Sequence, residues 1–365
     1  MMTSKCDILL LTSAFGMGHN SVANAIREQL LLEDSNISIM TEDIMNISTP
    51  KTKALYFGFY RLITRTSPSL YNVLYNIKKN NPNNFLDEIV YDMFLKRVGE
   101  FILEVNPKVI ISTFPLGSGF VSRVKEKYGL DIPLITAITD VVDSWEWIHD
   151  NTDLYFVPCK IVEERLVKKG IDIDKIRITG IPVKQDFLSR KEKDKDKGDE
   201  RQVLIMGGSL KKVILTKEML HHLDRMENIR IVVVTGNDSD LYKKLNHYGP
   251  FKNIEIFGFS NDIARMMDES DVVVTKPGGA TLFEAINKGI PLVLKRSKVG
   301  QEEENLRFIE EKGLGVLVDK NDDLETIIIR TLFDDAKLGR FEKNLEEVRT
   351  EFEADKIAEY VFDLL

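Results

Sequence analysis

Only two cysteines, Cys6 and Cys159, occur in the 365 residues. Two thiols exclude a disulfide-stapled scaffold and a cysteine-based zinc site. No H-x-x-x-H, HExxH or Cys/His cluster appears either, so no protein-bound metal is expected. No apolar run approaches the roughly 20 residues that a spanning helix needs. The start, MMTSKCDILLLTSAFG, lacks the charged region and apolar core of a signal peptide, and its short apolar run reads as a strand. These absences point to a cytoplasmic protein. A basic excess is also missing: the net charge of −8 argues against a nucleic-acid binder. Acid is missing locally. From Ile44 to Leu86 there is no Asp or Glu, yet Lys51, Lys53, Arg61, Arg65, Lys78 and Lys79 all fall there.

What is present is an ordinary globular composition, 43% hydrophobic and 30% charged, at a length that suits two domains. Short β-rich apolar runs alternate with helical patterns. Strands are expected at Asp7–Thr12, Ile37–Thr41, Lys108–Thr113, Pro133–Thr139, Leu154–Val157 and Lys175–Thr179. A helix follows the first strand from about Ser21, with Val22, Ile26 and Leu30 on one face, and a crossover helix is expected at about Ser118–Tyr128. Crossovers of this length pair strands in parallel with helices on both faces, a doubly wound sheet. Residues Arg190–Arg201 (RKEKDKDKGDER) contain no apolar side chain and read as a solvated linker. Alternation then restarts at Gln202–Met206, Ile229–Thr235, Asn253–Phe257, Asp271–Thr275, Ile290–Leu294 and Gly315–Val318. The expected organisation is an N-terminal domain (1–185), a charged linker (186–201), a C-terminal domain (202–340) and a last helical stretch (341–365, helical from about Leu345 to Leu364) that can return to the first domain. Ligands of open parallel sheets bind at the carboxyl ends of strands. Two such domains place the expected site in a cleft between them.

The loops leaving those strand ends carry the candidate chemistry. Phe15-Gly-Met-Gly-His-Asn20 joins the first strand to the first helix. Gly16 and Gly18 allow close backbone approach, Asn20 or Ser21 can cap the helix, and His19 titrates near neutrality and can accept a proton from a hydroxyl. A purely structural histidine fits the spacing equally well, and Ser21 breaks the dinucleotide G-x-G-x-x-G pattern. Thr275-Lys-Pro-Gly-Gly-Ala-Thr-Leu-Phe-Glu284 follows the strand DVVVT and opens a helix. Gly278, Gly279 and Ala280 leave main-chain amides uncovered, Thr281 adds a hydroxyl, and with the helix dipole they suit a diphosphate, or form simply a tight turn and a capped helix; Glu284 can accept from ribose hydroxyls. Gly207, Gly208 and Ser209, then Gly236 and Asn237, can approach a phosphate or form plain strand-to-helix turns; the loop with Phe259 can offer backbone amides to a planar base; Gln301 and Asn305 can bind sugar hydroxyls or simply start a polar helix. All leave strand ends of the same sheet. Asp140, after Thr139, can orient a histidine or act as base, or simply cap a helix. Ser144-Trp-Glu-Trp147-Ile-His149 follows it, and its aromatic pair can wall a sugar or lipid, or pack in the interior. Tyr56, Tyr60, Tyr71 and Tyr75 interleave with Arg61 and Arg65 in the acid-free window, a pattern suited to an anionic bilayer or to an amphipathic helix pair on the sheet.

At these loops the chain resembles the monogalactosyldiacylglycerol synthase and processive diacylglycerol glucosyltransferase family, and more distantly the enzyme that adds N-acetylglucosamine to lipid I. The resemblance runs through FGMGHNSVA, the segment Tyr56–Tyr75, TDVVDSWEWIH, YFVP, ITGIPV, GNDSDLYKKL, TKPGGATLFEAINKGIP and GQEEEN. It implies a GT-B fold of two doubly wound, Rossmann-like domains facing across a cleft. It also implies inverting, metal-independent transfer of a hexose from a UDP-sugar to a membrane lipid such as diacylglycerol, with no cofactor beyond the donor. On this resemblance Gly278 to Thr281 match the diphosphate loop, Glu284 the ribose carboxylate, Gln301 and Asn305 the donor-sugar loop, and His19 the histidine on the acceptor side. Tyr56 to Tyr75 match the region that meets the membrane, implying a peripheral enzyme on the inner face of the cell membrane, with Trp147 and His149 on the acceptor side. One position departs: four residues past Asp140 the family pattern usually has histidine, and this chain has Ser144. Two other classes stay open: a UDP-N-acetylglucosamine 2-epimerase-like isomerase, and a UDP-sugar-binding protein with impaired catalysis.

Overall fold

The computed structural model describes residues 6–14, 18–48, 79–80, 85–190, 200–206, 215–297 and 300–365. The chain divides into two compact units. One comprises Met1–Gln185, Lys298–Glu304 and Glu351–Leu365; the other comprises Asp186–Ser297 and Asn305–Thr350.

In the first unit the strands are β1 (Ile8–Thr12), β2 (Ile39–Asp43), β3 (Val109–Ser112), β4 (Leu134–Ala137), β5 (Leu154–Val157) and β6 (Ile176–Ile178). They lie in the order β2-β1-β3-β4-β5-β6, every pair parallel. β1, β3, β4 and β5 are buried at every position, as an apolar run must be when helices cover both sheet faces. β1 has β2 on one side and β3 on the other, so the winding direction reverses between β1 and β3. A crevice opens at such a reversal because the loops leaving the two strands turn to opposite faces.

The helix after β1 runs Gly18–Glu33 and buries Val22, Ile26 and Leu30 completely, as their spacing predicts. It starts three residues earlier than expected. Asn20 therefore lies inside the first turn and does not cap it; its Oδ1 accepts a hydrogen bond from Thr12 Oγ1 at 3.0 Å, tying the helix to the strand end. The crossover helix Pro115–Tyr128 also begins early, because proline is well suited to a first helical position; Gly129, at φ 61°, ends it.

The second unit holds β7 (Arg201–Met206), β8 (Ile229–Val234), β9 (Ile254–Phe257), β10 (Val272–Thr275), β11 (Leu292–Lys295) and β12 (Gly315–Val318). Their order is β12-β11-β10-β7-β8-β9, again all parallel, with the reversal between β7 and β10. Its core joins Val203, Ile231, Val233 and Val274 to Leu220, Leu223 and Ile328 of the covering helices.

Two boundaries differ from expectation. The last stretch is two helices, Asp335–Arg349 and Ile357–Phe362. The former buries Leu338, Leu345 and Val348 and belongs to the second unit. After Thr350 the chain joins the first unit, where Glu353 N–H donates to Ile178 O at 2.8 Å and the short helix packs on Gly18–Glu33. The charged run also starts as structure rather than as free linker. Gln185–Leu188 forms a helical turn, Lys288 Nζ donates to Ser189 O at 2.6 Å, and Arg190 Nε donates to Asn287 O at 3.1 Å. Residues 191–199 of the run lie outside the described residues.

Candidate functional site

His19 stands in the first turn of its helix, at the β1/β3 reversal. Its Nδ1 is 2.7 Å from the Thr113 carbonyl oxygen and 3.0 Å from Thr139 Oγ1. Thr113 Oγ1 donates to the His19 carbonyl at 3.1 Å. The edge of Phe114 meets the ring at 5.0 Å between centroids, and Trp147 lies at 6.4 Å. The residue is half-buried, and protein surrounds its ring closely. Loss of hydration pulls its pKa down to about 4, against the upward pull of the Thr113 hydrogen bond. At neutral pH the imidazole is uncharged, the form that can take a proton. The His19 ring hydrogen-bonds to Thr113 and Thr139, and Asp140 is half-buried just beyond Thr139.

In the segment after Asp140, Trp147 is interior rather than membrane-facing. Trp147 is 3% exposed in a short 3-10 turn, Trp145–Trp147, and so cannot present a surface to a bilayer; it packs beside His19 instead. His149 is half-buried, its Nε2 3.3 Å from Pro115 O and its backbone N–H donating to Tyr155 Oη at 3.2 Å. Ser144 is fully buried and donates to Glu146 Oε1 at 3.1 Å. Lys169 sits over the Trp145 ring and pairs with Asp143 at 3.0 Å, anchoring this loop.

In the second unit β10 ends at Thr275, beside the β7/β10 reversal, and the helix Gly279–Lys288 follows. Its N-cap, Gly278, brings no side-chain cap, and its own N–H turns back to Lys276 O at 2.8 Å. That amide is spent, which corrects its place in the donor set. The first intrahelical bond is Leu282 N–H to Gly278 O at 3.1 Å. The N–H groups of Gly279, Ala280 and Thr281 thus begin the helix with no intrahelical acceptor, the geometry of an anion site. Lys276, which the sequence reading passed over, brings its ammonium against Gly278: a Cβ built there would lie 3.5 Å from Nζ. Thr275 Oγ1 is buried and has no hydrogen-bond partner among the described residues. Glu284 is half-buried further along the helix.

Asn305 has a different place from the one expected. It is 0% exposed on the helix Gly300–Lys312, and its Nδ2 donates to Pro277 O at 3.0 Å. Its amide therefore braces the β10 loop rather than reaching a sugar; Gln301, one turn earlier, is half-buried. Gly236 and Asn237 follow β8, and Phe259, 63% exposed, follows β9 at the same edge. Gly18 opens the His19 helix. Gly16, Gly207, Gly208, Ser209, Tyr56, Tyr60, Arg61, Arg65, Tyr71 and Tyr75 lie outside the described residues.

Residues 19–183 match the monogalactosyldiacylglycerol (MGDG) synthase family, and residues 202–360 match the glycosyltransferase family 28 C-terminal domain. The first match contains His19, Thr113 and Thr139; the second contains the β10 loop and Asn305. Similar curated proteins include two named processive diacylglycerol beta-glucosyltransferase. That of Bacillus licheniformis is 29% identical over 95% of this chain and 92% of its own length. That of Bacillus subtilis is 28% identical over 98% and 95%. Among solved structures, Acinetobacter baumannii MurG aligns with a TM-score of 0.63 and 14% identity over 98% of each chain. A UDP-N-acetylglucosamine 2-epimerase aligns with a TM-score of 0.56 and 13% identity over 99% of this chain and 95% of that one. Identities this low establish the GT-B fold, which transferases and epimerases share; the two family matches separate them. The amino-terminal half thus matches the MGDG synthase family and the carboxyl-terminal half the glycosyltransferase family 28 domain, and the chain is a glycosyltransferase.

Proposed function

We propose that this chain transfers a hexose from a UDP-sugar to diacylglycerol, inverting the anomeric carbon, as a peripheral enzyme of an anionic membrane. The observation that carries the donor half is the set of amides at Gly279, Ala280 and Thr281, which begin a helix without intrahelical acceptors at the β7/β10 reversal. Their dipoles, with the Lys276 ammonium close by, oppose the charge that develops on the departing diphosphate. Thr275 Oγ1 adds a buried hydroxyl that is unpaired among the described residues. In this reading Glu284 receives ribose hydroxyls, Phe259 offers its exposed face to the base, and Gln301 meets the sugar. No metal ion is needed in this account, because the amides and a lysine meet the leaving charge.

On the acceptor side His19 Nε2 takes the proton of the attacking hydroxyl. The acceptor oxygen bonds to the anomeric carbon as the bond from that carbon to the diphosphate oxygen breaks, and the electron pair leaves with UDP. The relatives' names supply diacylglycerol as the acceptor, and the acid-free window from Ile44 to Leu86 suits contact with anionic lipid.

The test is incubation with radiolabelled UDP-glucose, UDP-galactose or UDP-N-acetylglucosamine and diacylglycerol vesicles, with and without EDTA, followed by thin-layer analysis. Labelled glycolipid formed equally with EDTA is the expected result. Epimerised sugar without acceptor, or no lipid product from any donor, overturns the proposal.

A further inference from the structure

We infer that Thr113 and Thr139 form an uncharged bracket that positions His19, holding the ring proton on Nδ1 and leaving the Nε2 lone pair as the base. This rests on the reading of His19 as the base. A carbonyl oxygen can only accept, and the Thr113 carbonyl stands 2.7 Å from Nδ1. Nδ1 must therefore carry the proton, because two lone pairs at that distance would repel. A neutral imidazole has one N–H, so Nε2 carries the lone pair. Thr139 Oγ1, at 3.0 Å, accepts the second arm of the same N–H.

The bracket is rigid for reasons visible in the fold. Thr113 follows the end of β3 and Thr139 follows β4; the two strands are parallel neighbours, so sheet spacing sets the distance between the acceptors. Thr113 is 0% exposed and Thr139 4%, and packing at that depth locks their rotamers. Thr113 grips His19 twice, its carbonyl receiving the ring N–H and its hydroxyl donating to the His19 carbonyl at 3.1 Å. Phe114 and Trp147 confine the ring plane.

An orienting carboxylate would also stabilise the imidazolium that forms when Nε2 takes the acceptor proton. Two neutral oxygens fix the tautomer and orientation without that charge, so the ring reverts readily to the neutral base after each transfer. Thr139 is thus a positioning residue and touches no reacting atom.

The experiment combines nitrogen-15 spectra of the histidine rings, five in this chain, with steady-state kinetics on diacylglycerol vesicles and calorimetry of UDP binding. In the wild type His19 should show an Nδ1–H tautomer. Thr139→Val should raise the Nε2–H fraction and lower kcat by about tenfold, the order of one hydrogen bond, with KM for the UDP-sugar and UDP affinity unchanged. Thr139→Ser should restore both tautomer and rate. A wild-type His19 in the Nε2–H form, or a Thr139→Val enzyme with unaltered kcat and spectrum, overturns the bracket. His19→Ala separates this failure from that of the underlying reading. If it keeps wild-type kcat, the base assignment falls; if it loses about a hundredfold or more while Thr139→Val is unchanged, only the bracket falls.

Discussion

His19 Nδ1 is committed to two oxygens that bring no charge, and its ring is largely stripped of water, so its titration differs from that of an exposed histidine. Its ordinary value of 6.5 is lowered to about 4. Between those values the unfolded chain binds a proton that the native ring refuses. The stability tied to the neutral ring is therefore complete above pH 6.5 and is lost as pH falls toward 4. The transfer rate should accordingly keep its base down to about pH 5. An acid limb centred near pH 6.5 that vanishes in His19→Ala would contradict this account. At the donor end, Asn305 supports the β10 loop through Pro277 O. Asn305→Ala leaves that carbonyl without its donor, at a cost of about 1–3 kcal/mol. UDP affinity measured by calorimetry should fall about tenfold or more while kcat at saturating donor changes little; unaltered affinity would remove Asn305 from the support of the loop. That His19 and the KPGG loop stand where a strand hands over to a helix was legible in the residues. The partner of His19 was not, because a carbonyl at Thr113, 94 residues away in the chain, leaves no mark on the sequence.

At the scale of elements, strand positions followed from β-rich apolar runs, since strands covered on both faces demand uninterrupted apolar character. Helix starts were less legible. The helices after β1 and β3 each begin three residues before the expected point, because Gly18 and Pro115 can open a helix while looking like loop residues. The helix Gly279–Lys288 carries the proposed diphosphate site at one end and a close contact at the other. Gly289 ends it at φ 67°, and Arg190 crosses there so tightly that a Cβ would lie 1.3 Å from Nη2. Gly289→Ala combines a left-handed backbone, costing about 1–2 kcal/mol, with displacement of Arg190 from the Asn287 carbonyl. Calorimetry should show the second unit melting at least about 4 °C lower, taking roughly 1 kcal/mol as a few degrees for a domain of this size. An unchanged transition would show that the end relaxes without strain.

For the whole molecule, the carboxyl terminus serves the unit it did not begin from. Ile357 and Val361 are 0% exposed, Ala358 is 7% exposed, and their helix packs on Gly18–Glu33, the helix that carries His19. Ending the chain at Thr350 would uncover this apolar surface, each large side chain being worth about 1.5–3 kcal/mol. The first unit of the shortened chain should melt earlier while the second holds its transition; equal melting of full-length and shortened chains would refute the packing argument.

Two parallel α/β units, the loops at their strand ends and the likeness to known glycosyltransferase families were determined by the sequence alone. Strand burial, helix periodicity and glycine placement are local properties, and the residue order records them directly. The tertiary structure decided which groups meet: Thr113 and Thr139 on His19, Asn305 on Pro277, Trp147 inward beside His19, and residues 351–365 on the first unit. These contacts join segments far apart in the chain, and their donors and acceptors are often main-chain atoms common to every residue. Only the folded geometry selects among them.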